Sequence, residues 1–268
     1  MRSIAIVTGA SSGVGREFVR QLDAGGVGPI DEIWLIARNQ DKLAQIAVET
    51  TTVTRVFPLD LTDPAAYYTL GDALSDATDD GKLYVQLLVN SAGFGTAGTF
   101  AEVGADANAQ MVRLNCLATV QMCSIVLPYL RPGSRIINLA SMAGTLPLPG
   151  FATYSATKAF VLNFSRALDE ELSEVGIRVT AVCPKWMKTG FFDHLGPRSA
   201  YESMMVIGTE KPEAAVRKAL VASTLGRPVC VPSPDMKAAY ALLQIIPTAL
   251  AMSSMRLLEI CMPKKHVK

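Results

Sequence analysis

Apolar residues in this chain form short continuous runs that alternate with stretches of helical spacing. The short runs are rich in β-branched residues and cover residues 3–8, 32–39, 53–59, 83–89, 135–141 and 177–182. The run at 83–89 is a continuous apolar run, as expected of a parallel strand that is covered on both faces. Since strand and helix patterns alternate without a linker or a repeat, the sequence predicts one α/β domain, a doubly wound parallel sheet with helices on both faces.

A glycine-rich turn joins the first predicted strand to the first predicted helix. From Gly9 to Gly15 it reads Gly-Ala-Ser-Ser-Gly-Val-Gly, and an apolar helical stripe follows. Glycines let a backbone come close to a pyrophosphate, and the amides at a helix N-terminus attract its charge. Strand, glycine turn and helix in this order predict a dinucleotide site in a Rossmann-like fold.

The ends of the second and third predicted strands bear on which dinucleotide would bind. A carboxylate after the second strand would bond the 2′-hydroxyl of NAD, but here Ala37 is followed by Arg38. A guanidinium suits a 2′-phosphate, so the sequence favours NADP(H) over NAD(H); a solvated loop arginine is the alternative. Asp60 would either bond the adenine amino group or begin the turn towards Thr62.

The candidate chemistry lies in Tyr154 and Lys158, which are four residues apart in a predicted helix and therefore share one face. A free phenol titrates near ~10, and a fixed ammonium beside it favours the phenolate and lowers the pKa towards neutral pH. Ser141, at the end of the fifth predicted strand, would bond a substrate carbonyl or alcohol oxygen. The alternative is that Tyr154 and Lys158 form the edge of an ordinary amphipathic helix.

Two further polar positions stand out from apolar surroundings. Asn90 begins Asn-Ser-Ala-Gly after the fourth predicted strand, where Gly93 permits a tight exit and Asn90 can bond neighbouring backbone. Asn115 is the polar exception on a helical stripe of apolar residues. Its amide would bond a main-chain carbonyl or hold a water, and a satisfied buried amide is the alternative.

Composition narrows the class of protein. The 268 residues carry a formal net charge of +1 and no basic run in the body of the chain, which argues against nucleic acid. The cysteines are Cys116, Cys123, Cys183, Cys230 and Cys261. Because their number is odd and their spacing does not resemble that of metal ligands, we expect reduced, mostly buried thiols and no bound metal. The N-terminus leads straight into the glycine turn without a signal peptide, and a cytoplasmic protein is expected.

Taken together, these motifs resemble the short-chain dehydrogenase/reductase family over roughly residues 3–190. The resemblance implies that Tyr154 is the acid/base and that Ser141 polarises and orients the carbonyl. It implies that Lys158 lowers the pKa of Tyr154 and holds the nicotinamide ribose, and that Asn115 positions a water in a proton relay. In the NADP-preferring members of the family, an arginine at the position of Arg38 binds the 2′-phosphate.

The resemblance also implies a set of cofactor contacts. Besides Tyr154 and Lys158 they are Gly9, Ser11, Ser12, Gly13, Val14, Gly15, Arg38, Asp60, Leu61, Asn90, Ala92, Gly93, Pro184, Met187 and Thr189. The chain departs from the family at Lys185, where a glycine is usual. Either the backbone of Lys185 is strained, or the loop has a different conformation from that of the family. The side chain would either bring a charge near the substrate or cofactor or lie on the surface.

The resemblance divides the single domain of residues 1–268 into a core at 1–190, a substrate lid at 190–235 and an apolar extension at 236–268. The lid is rich in aromatic residues and methionine, as suits an apolar pocket, and contains Phe191, Phe192, His194, Tyr201, Met204 and Met205. The predicted pocket comprises Ser141, Leu148, Tyr154, Phe191 and Phe192, with Leu146 and Phe151 nearby. The predicted function is interconversion of a hydrophobic ketone and a secondary alcohol; a non-catalytic NADP(H)-binding scaffold or redox sensor is the alternative.

Residues 238–255 carry no charge and precede a basic end with Lys264, Lys265 and Lys268. Three interpretations are open: packing over the pocket or onto another subunit, lying on a membrane surface, or crossing a membrane. Pro247 counts against a simple span. The resemblance implies a homodimer or homotetramer built on the helices that carry Asn115 and Tyr154.

Overall fold

The computed structural model describes residues 2–78, 83–187, 189, 191, 195–196 and 208–253. Within these residues a seven-stranded parallel sheet has the order β3-β2-β1-β4-β5-β6-β9. Its strands are β1 (Arg2–Thr8), β2 (Glu32–Ala37), β3 (Val53–Pro58), β4 (Leu83–Asn90), β5 (Arg135–Leu139), β6 (Arg178–Val182) and β9 (Val229–Cys230). Two short strands, β7 (Trp186–Met187) and β8 (Thr209–Glu210), pair separately in parallel. The predicted doubly wound fold is confirmed.

Helices α1 to α8 surround the sheet. They are α1 (Gly13–Asp23), α2 (Gln40–Glu49), α3 (Ala65–Thr78), α4 (Phe100–Val112), α5 (Ala118–Val126), α6 (Ala152–Ser173), α7 (Pro212–Thr224) and α8 (Pro234–Leu243). Alternate strand residues point to opposite faces, so Ile4 and Ile6 join one core while Ala5 and Val7 join the other. The continuous apolar runs of the strands arise from this burial on both faces.

The strand order reverses beside β1, which places the site. From β1 the chain moves outward through β2 to β3 and then returns to β4 on the other side of β1. The hydroxyl of Thr8 at the end of β1 accepts hydrogen bonds of 3.0 Å from the amides of Ser91 and Ala92, just after β4. Ligands of open parallel sheets bind at such a switch point, at the carboxyl ends of the strands.

The long helical stretch before β5 is irregular at the residue that sequence reasoning singled out. A π-helical turn, Arg113–Leu117, separates α4 from α5 and contains Asn115. By length and composition alone residues 100–129 would cross a membrane, but 44% of the most apolar window is buried within the fold. This stretch packs on the sheet as a core helix, with Met122 and Val126 in the core.

The C-terminal apolar run does not form one continuous helix. α8 ends at Leu243, residues 244–247 are not helical, and residues 248–253 form a second short helical segment. This break argues against the interpretation that one helix of spanning length crosses a membrane here. Leu242, Ile245 and Leu250 are exposed by 56%, 82% and 63%. The basic end and Cys261 lie outside the described residues, whereas the other four cysteines are buried and free, as predicted.

Candidate active site

A cleft of about 810 Å³ lies at the carboxyl edge of the sheet, over the switch point. It is lined by most of the predicted cofactor contacts: Gly9, Ser11, Ser12, Gly13, Val14, Gly15, Arg38, Asp60, Leu61, Ala92, Gly93 and Thr189. Residues that the sequence prediction did not include also line it, among them Asn39, Lys42, Thr96, Gln110 and Leu114. The cleft therefore runs from the end of β2 to the segment after β6.

The glycine turn is built so that its backbone comes close to whatever the cleft holds. Gly9 and Gly13 have φ angles of 67° and 53°, which favour glycine. A Cβ on Gly15 would lie 2.1 Å from the carbonyl oxygen of Gly9, so no side chain fits there. The side chain of Ser12 makes no capping hydrogen bond, which leaves the first amides of α1 open to an anion. These features fit a pyrophosphate.

The end of the cleft beside β2 carries positive charge. Arg38 and Lys42 are both exposed and both line the cleft. The side chain of Asn39 accepts a 2.8 Å hydrogen bond from the amide of Lys42 and so caps α2. Asp60 accepts hydrogen bonds from the amide and hydroxyl of Thr62, which makes it the start of a turn that also borders the cleft. Sequence reasoning missed Lys42; its place one turn after Arg38 was the available signal.

Ser141, Tyr154 and Lys158 come together just beyond the cleft lining, where Lys158 lies next to Gly93 and Tyr154 lies against Phe191. Tyr154 and Lys158 are each only 7% exposed on α6, with the lysine nitrogen 5.9 Å from the tyrosine ring centroid. Ser141 lies beside Tyr154 and begins a 3₁₀ turn, Met142–Thr145, where its hydroxyl accepts a 3.1 Å hydrogen bond from the amide of Ala143. A Cβ on Gly144 would lie 2.5 Å from the carbonyl carbon of Lys158, so this turn packs directly against α6.

The expected pKa of Tyr154 is wrong in its direction. Burial raises the pKa of Tyr154 to about 12, although the neighbouring Ser141 side chain works in the opposite direction. Burial also lowers the pKa of Lys158 to about 8. The ammonium of Lys158 donates a 2.7 Å hydrogen bond to the carbonyl of Leu139 rather than facing the phenol oxygen at close range. Desolvation of the phenol therefore outweighs the attraction that the sequence argument considered.

Asn115 uses both ends of its amide to clamp the loop after β4 onto α6. Its oxygen accepts from the amide of Phe94 at 3.0 Å, and its nitrogen donates to the Phe94 carbonyl at 2.9 Å and to the Thr157 hydroxyl at 3.0 Å. A Cβ on Gly93 would lie 2.9 Å from this amide oxygen and 3.5 Å from the Lys158 nitrogen. The absence of a side chain at Gly93 thus leaves space between Asn115 and Lys158.

Five predicted cofactor contacts are not among the residues that line the cleft: Asn90, Tyr154, Lys158, Pro184 and Met187. Lys158 lies next to Gly93 and Tyr154 lies against Phe191, and both of these neighbours do line it. Asn90 points into the interior and donates to Asn138 at 2.9 Å instead of bonding the backbone beside it. The carbonyl of Pro184 accepts a 3.0 Å hydrogen bond from Met142 and so holds the loop behind Ser141. Met187 belongs to β7, and its carbonyl accepts a 3.5 Å hydrogen bond from the hydroxyl of Thr189, which does line the cleft. Asn90, Pro184 and Met187 support the site from behind.

Lys185 is neither strained nor a surface lysine. No described residue other than glycine has a positive φ, so the loop accommodates a side chain here. The lysine side chain is 12% exposed and pairs with Asp235 at 2.8 Å. The expectation of a surface lysine is wrong because α8, whose position the sequence did not reveal, covers this loop.

Aromatic rings surround Tyr154 on the side away from Lys158. Phe191 lies 5.6 Å from Tyr154 between ring centroids, Phe151 lies 6.1 Å from it, and Trp186 contacts both Phe151 and Phe191. Leu148 packs against this cluster. Phe192, His194, Tyr201, Met204 and Met205 lie outside the described residues.

Gly95 is a site residue that sequence reasoning missed. A Cβ there would lie 2.8 Å from Cδ2 of Tyr154 and 2.9 Å from Cζ of Phe191. The second glycine shortly after Gly93 was the only signal that the sequence offered for it. Both rings therefore approach the backbone at this point, which closes the aromatic wall.

The parallel sheet has a glycine turn at its switch point, and a half-buried serine, a buried tyrosine and a buried lysine lie beside the same cleft. This combination defines a dinucleotide-binding protein of the Rossmann type. The family model for short chain dehydrogenase matches residues 3–199, and the chain belongs to that family. A very-long-chain 3-oxoacyl-CoA reductase of Laccaria bicolor is 37% identical over 185 residues, covering 65% of this chain. The chain spans about half of that relative, 52% of its length.

Other relatives and solved structures agree with this membership. A sulfoacetaldehyde reductase of Chromohalobacter salexigens is 35% identical over 71% of this chain and 75% of its own length. A short-chain dehydrogenase from Sphingobium yanoikuyae in complex with NADPH has a TM-score of 0.76 at 24% identity, covering 100% of this chain and 99% of its own. A Burkholderia phymatum family member in complex with NAD has a TM-score of 0.77 at 23% identity, covering 90% and 92%. At these identities the structures share the fold.

Proposed function

We propose that the protein is an NADP(H)-dependent oxidoreductase that interconverts a hydrophobic ketone and a secondary alcohol. The observation that carries the proposal is the buried Tyr154, beside Ser141 and one helical turn from Lys158, next to a glycine-walled cleft. NADP(H), when bound, supplies or accepts the hydride. The residues of this chain then hold the substrate and move the proton.

Tyr154 is the proton donor in the proposed reduction. With a pKa of about 12 its phenol stays protonated at neutral pH, as a donor to a developing alkoxide requires. Ser141 orients the substrate oxygen towards that phenol. Lys158, whose nitrogen borders the space at Gly93, holds the sugar next to the nicotinamide, and Asn115 keeps the loop of Phe94 in place beside it.

Preference for NADP(H) rests on Arg38 and Lys42. Both cations line the cleft beyond β2, and no carboxylate stands at the tip of that strand. A 2′-phosphate would bring two negative charges to this position, whereas a 2′-hydroxyl would gain little from either cation.

An apolar ketone suits the wall formed by Phe151, Tyr154, Trp186 and Phe191. Several relatives are named very-long-chain 3-oxoacyl-CoA reductase, and one structural neighbour is a bulky-bulky ketone specific alcohol dehydrogenase from Comamonas testosteroni. These names support a ketone with a large apolar substituent, such as a 3-oxoacyl chain.

We further propose a cytoplasmic homo-oligomer. Phe100 and Val112, exposed by 66% and 47%, line an apolar groove between α4 and α6, and Phe160 of α6 is exposed by 44%. These helices are expected at a subunit contact. The exposed apolar residues of the C-terminal segment suit a second contact, with another subunit or a membrane surface. Sedimentation measures the assembly, and flotation with anionic vesicles tests for membrane contact.

The test of the proposed function is Tyr154→Phe, assayed by NADPH oxidation with a panel of apolar ketones. Loss of the proton donor is expected to reduce turnover by about 100- to 10,000-fold. NADPH affinity, measured by calorimetry, is expected to stay close to that of the unmodified protein. Tyr68→Phe, on an exposed tyrosine of α3, is the matched control and should keep full activity. Undiminished turnover in Tyr154→Phe would refute the assignment; NADPH binding without turnover in the parent protein would favour a non-catalytic scaffold.

A further inference from the structure

Lys185, at the position where the family usually has glycine, ties the loop after β6 to α8. Its nitrogen lies 2.8 Å from Oδ2 of Asp235, and its side chain is 12% exposed against 51% for the aspartate. Asp235 lies in the first turn of α8, where its negative charge also interacts favourably with the helix dipole. The ion pair therefore fastens a nearly buried cation to the start of a helix 50 residues further along the chain.

The short strand β8 is also hydrogen-bonded to the start of α8. β8 pairs in parallel with β7, with Met187 opposite Glu210. The hydroxyl of Ser233, the residue before α8, donates a hydrogen bond to Oε2 of Glu210. Lys218 of α7 donates to the Pro232 carbonyl at 2.7 Å and steadies this corner. β7 and β8 are thus joined to each other and are both fastened to the beginning of α8.

Residues that reach the cleft follow directly after β7. Thr189 lies opposite the glycine turn, where a Cβ on Gly13 would be 3.3 Å from the Thr189 Cβ. The amide of Phe191 donates to the Thr189 hydroxyl at 3.3 Å, and the ring of Phe191 contacts Tyr154. A shift of β7 would therefore move Thr189 relative to the glycine turn and Phe191 relative to Tyr154.

We infer that the start of α8 is an anchor that positions Thr189 and Phe191 over the nicotinamide end of the cleft. Lys185 and Asp235 are its positioning residues, and they act through β7. This inference depends on the proposed function in one respect, namely that the dinucleotide in the cleft is NADP(H). The adenosine end of the cleft is built instead from β2 and α2, with Arg38 and Lys42. Loss of the anchor should therefore weaken binding of the whole dinucleotide and leave its adenosine half unaffected.

The experiment compares Asp235→Asn with Asp235→Glu and with Lys237→Met. The asparagine removes the charge that faces Lys185, whereas the glutamate keeps it at a half-exposed position with room for a longer side chain. Lys237→Met removes an exposed charge from the same helix and serves as the matched control. Calorimetry measures the dissociation constants for NADP⁺ and for 2′,5′-ADP, which lacks the nicotinamide half. Amide hydrogen exchange measures opening of β7 and β8 without any ligand.

Asp235→Asn is expected to weaken NADP⁺ binding about fivefold, the upper range for a partly exposed ion pair, with 2′,5′-ADP binding unchanged. Exchange at residues 186–187 and 209–210 should accelerate in Asp235→Asn and stay unchanged in Asp235→Glu and Lys237→Met. The inference would be overturned if Asp235→Asn weakened the binding of NADP⁺ and of 2′,5′-ADP equally. It would also be overturned if amide exchange in Asp235→Asn were unchanged. If the parent protein binds neither ligand, the proposed function fails, and the exchange result alone decides whether the anchor exists.

Discussion

Gly95→Ala is expected to damage the candidate active site while leaving the glycine turn intact. The added methyl would lie 2.8 Å from Cδ2 of Tyr154 and 2.9 Å from Cζ of Phe191. Carbon atoms in good contact stand about 3.5 to 4.0 Å apart, so the groups must separate by about 1 Å. Tyr154 has little room to retreat, because Phe151 lies against its ring and the turn at Gly144 lies against its helix.

The expected losses of activity and stability follow from this displacement. A misplacement of about 1 Å in a catalytic constellation costs about 100-fold in rate, so kcat is expected to fall by about 10- to 100-fold. The overpacked wall should also lower the free energy of unfolding by about 1 to 3 kcal/mol. For a chain of this size that loss corresponds to a decrease in Tm of roughly 2 to 10 °C.

The assay measures kcat, KM for an apolar ketone, NADPH affinity and Tm for Gly95→Ala and for Gly71→Ala. Gly71 lies in α3, where an added Cβ meets nothing within 4 Å, so this control adds the same methyl without a clash. Alanine is also the better helix former by about 1 kcal/mol, and the control should keep its activity and its stability. A Gly95→Ala protein with normal kcat would refute the idea that Gly95 sets the position of Tyr154.

Two further predictions concern the cofactor and pH. Replacing Arg38 and Lys42 together by alanine should weaken NADPH binding about tenfold or more and NADH binding much less, and titration measures both affinities. Equal losses of affinity would show that these cations do not bind the 2′-phosphate. Alcohol oxidation needs the phenolate of Tyr154, whose raised pKa makes that form scarce, so kcat/KM for oxidation should rise about tenfold per pH unit from pH 7 to 9. A plateau below pH 8 would contradict this.

The parts of the site that the sequence predicted correctly depend on local chemistry. The glycine turn is identifiable because strand, turn and helix are consecutive, and Tyr154 and Lys158 share a face because helical spacing requires it. The six long parallel strands follow from short runs rich in apolar and β-branched residues, although β3 is only partly buried. β9, with two residues, is too short for any such pattern and was missed.

The parts that the sequence did not predict depend on distant segments meeting. Lys185 finds its partner 50 residues away, and the importance of Gly95 exists only because Tyr154 and Phe191 approach its backbone. Asn90 was expected to bond nearby backbone, but the fold places Asn138 of the adjacent strand within reach. None of these contacts has a signature in residue spacing.

The pKa of Tyr154 bears on the direction in which the site is best prepared to work. Spacing alone identifies Lys158 as a neighbour, but desolvation depends on the aromatic wall that folding builds around the phenol. Burial keeps Tyr154 protonated, and the ammonium of Lys158 is held by the Leu139 carbonyl rather than by the phenol oxygen. A protonated phenol can donate at once to a ketone receiving a hydride, whereas oxidation must first remove its proton. For the proposed reaction we therefore expect these residues to favour reduction near neutral pH.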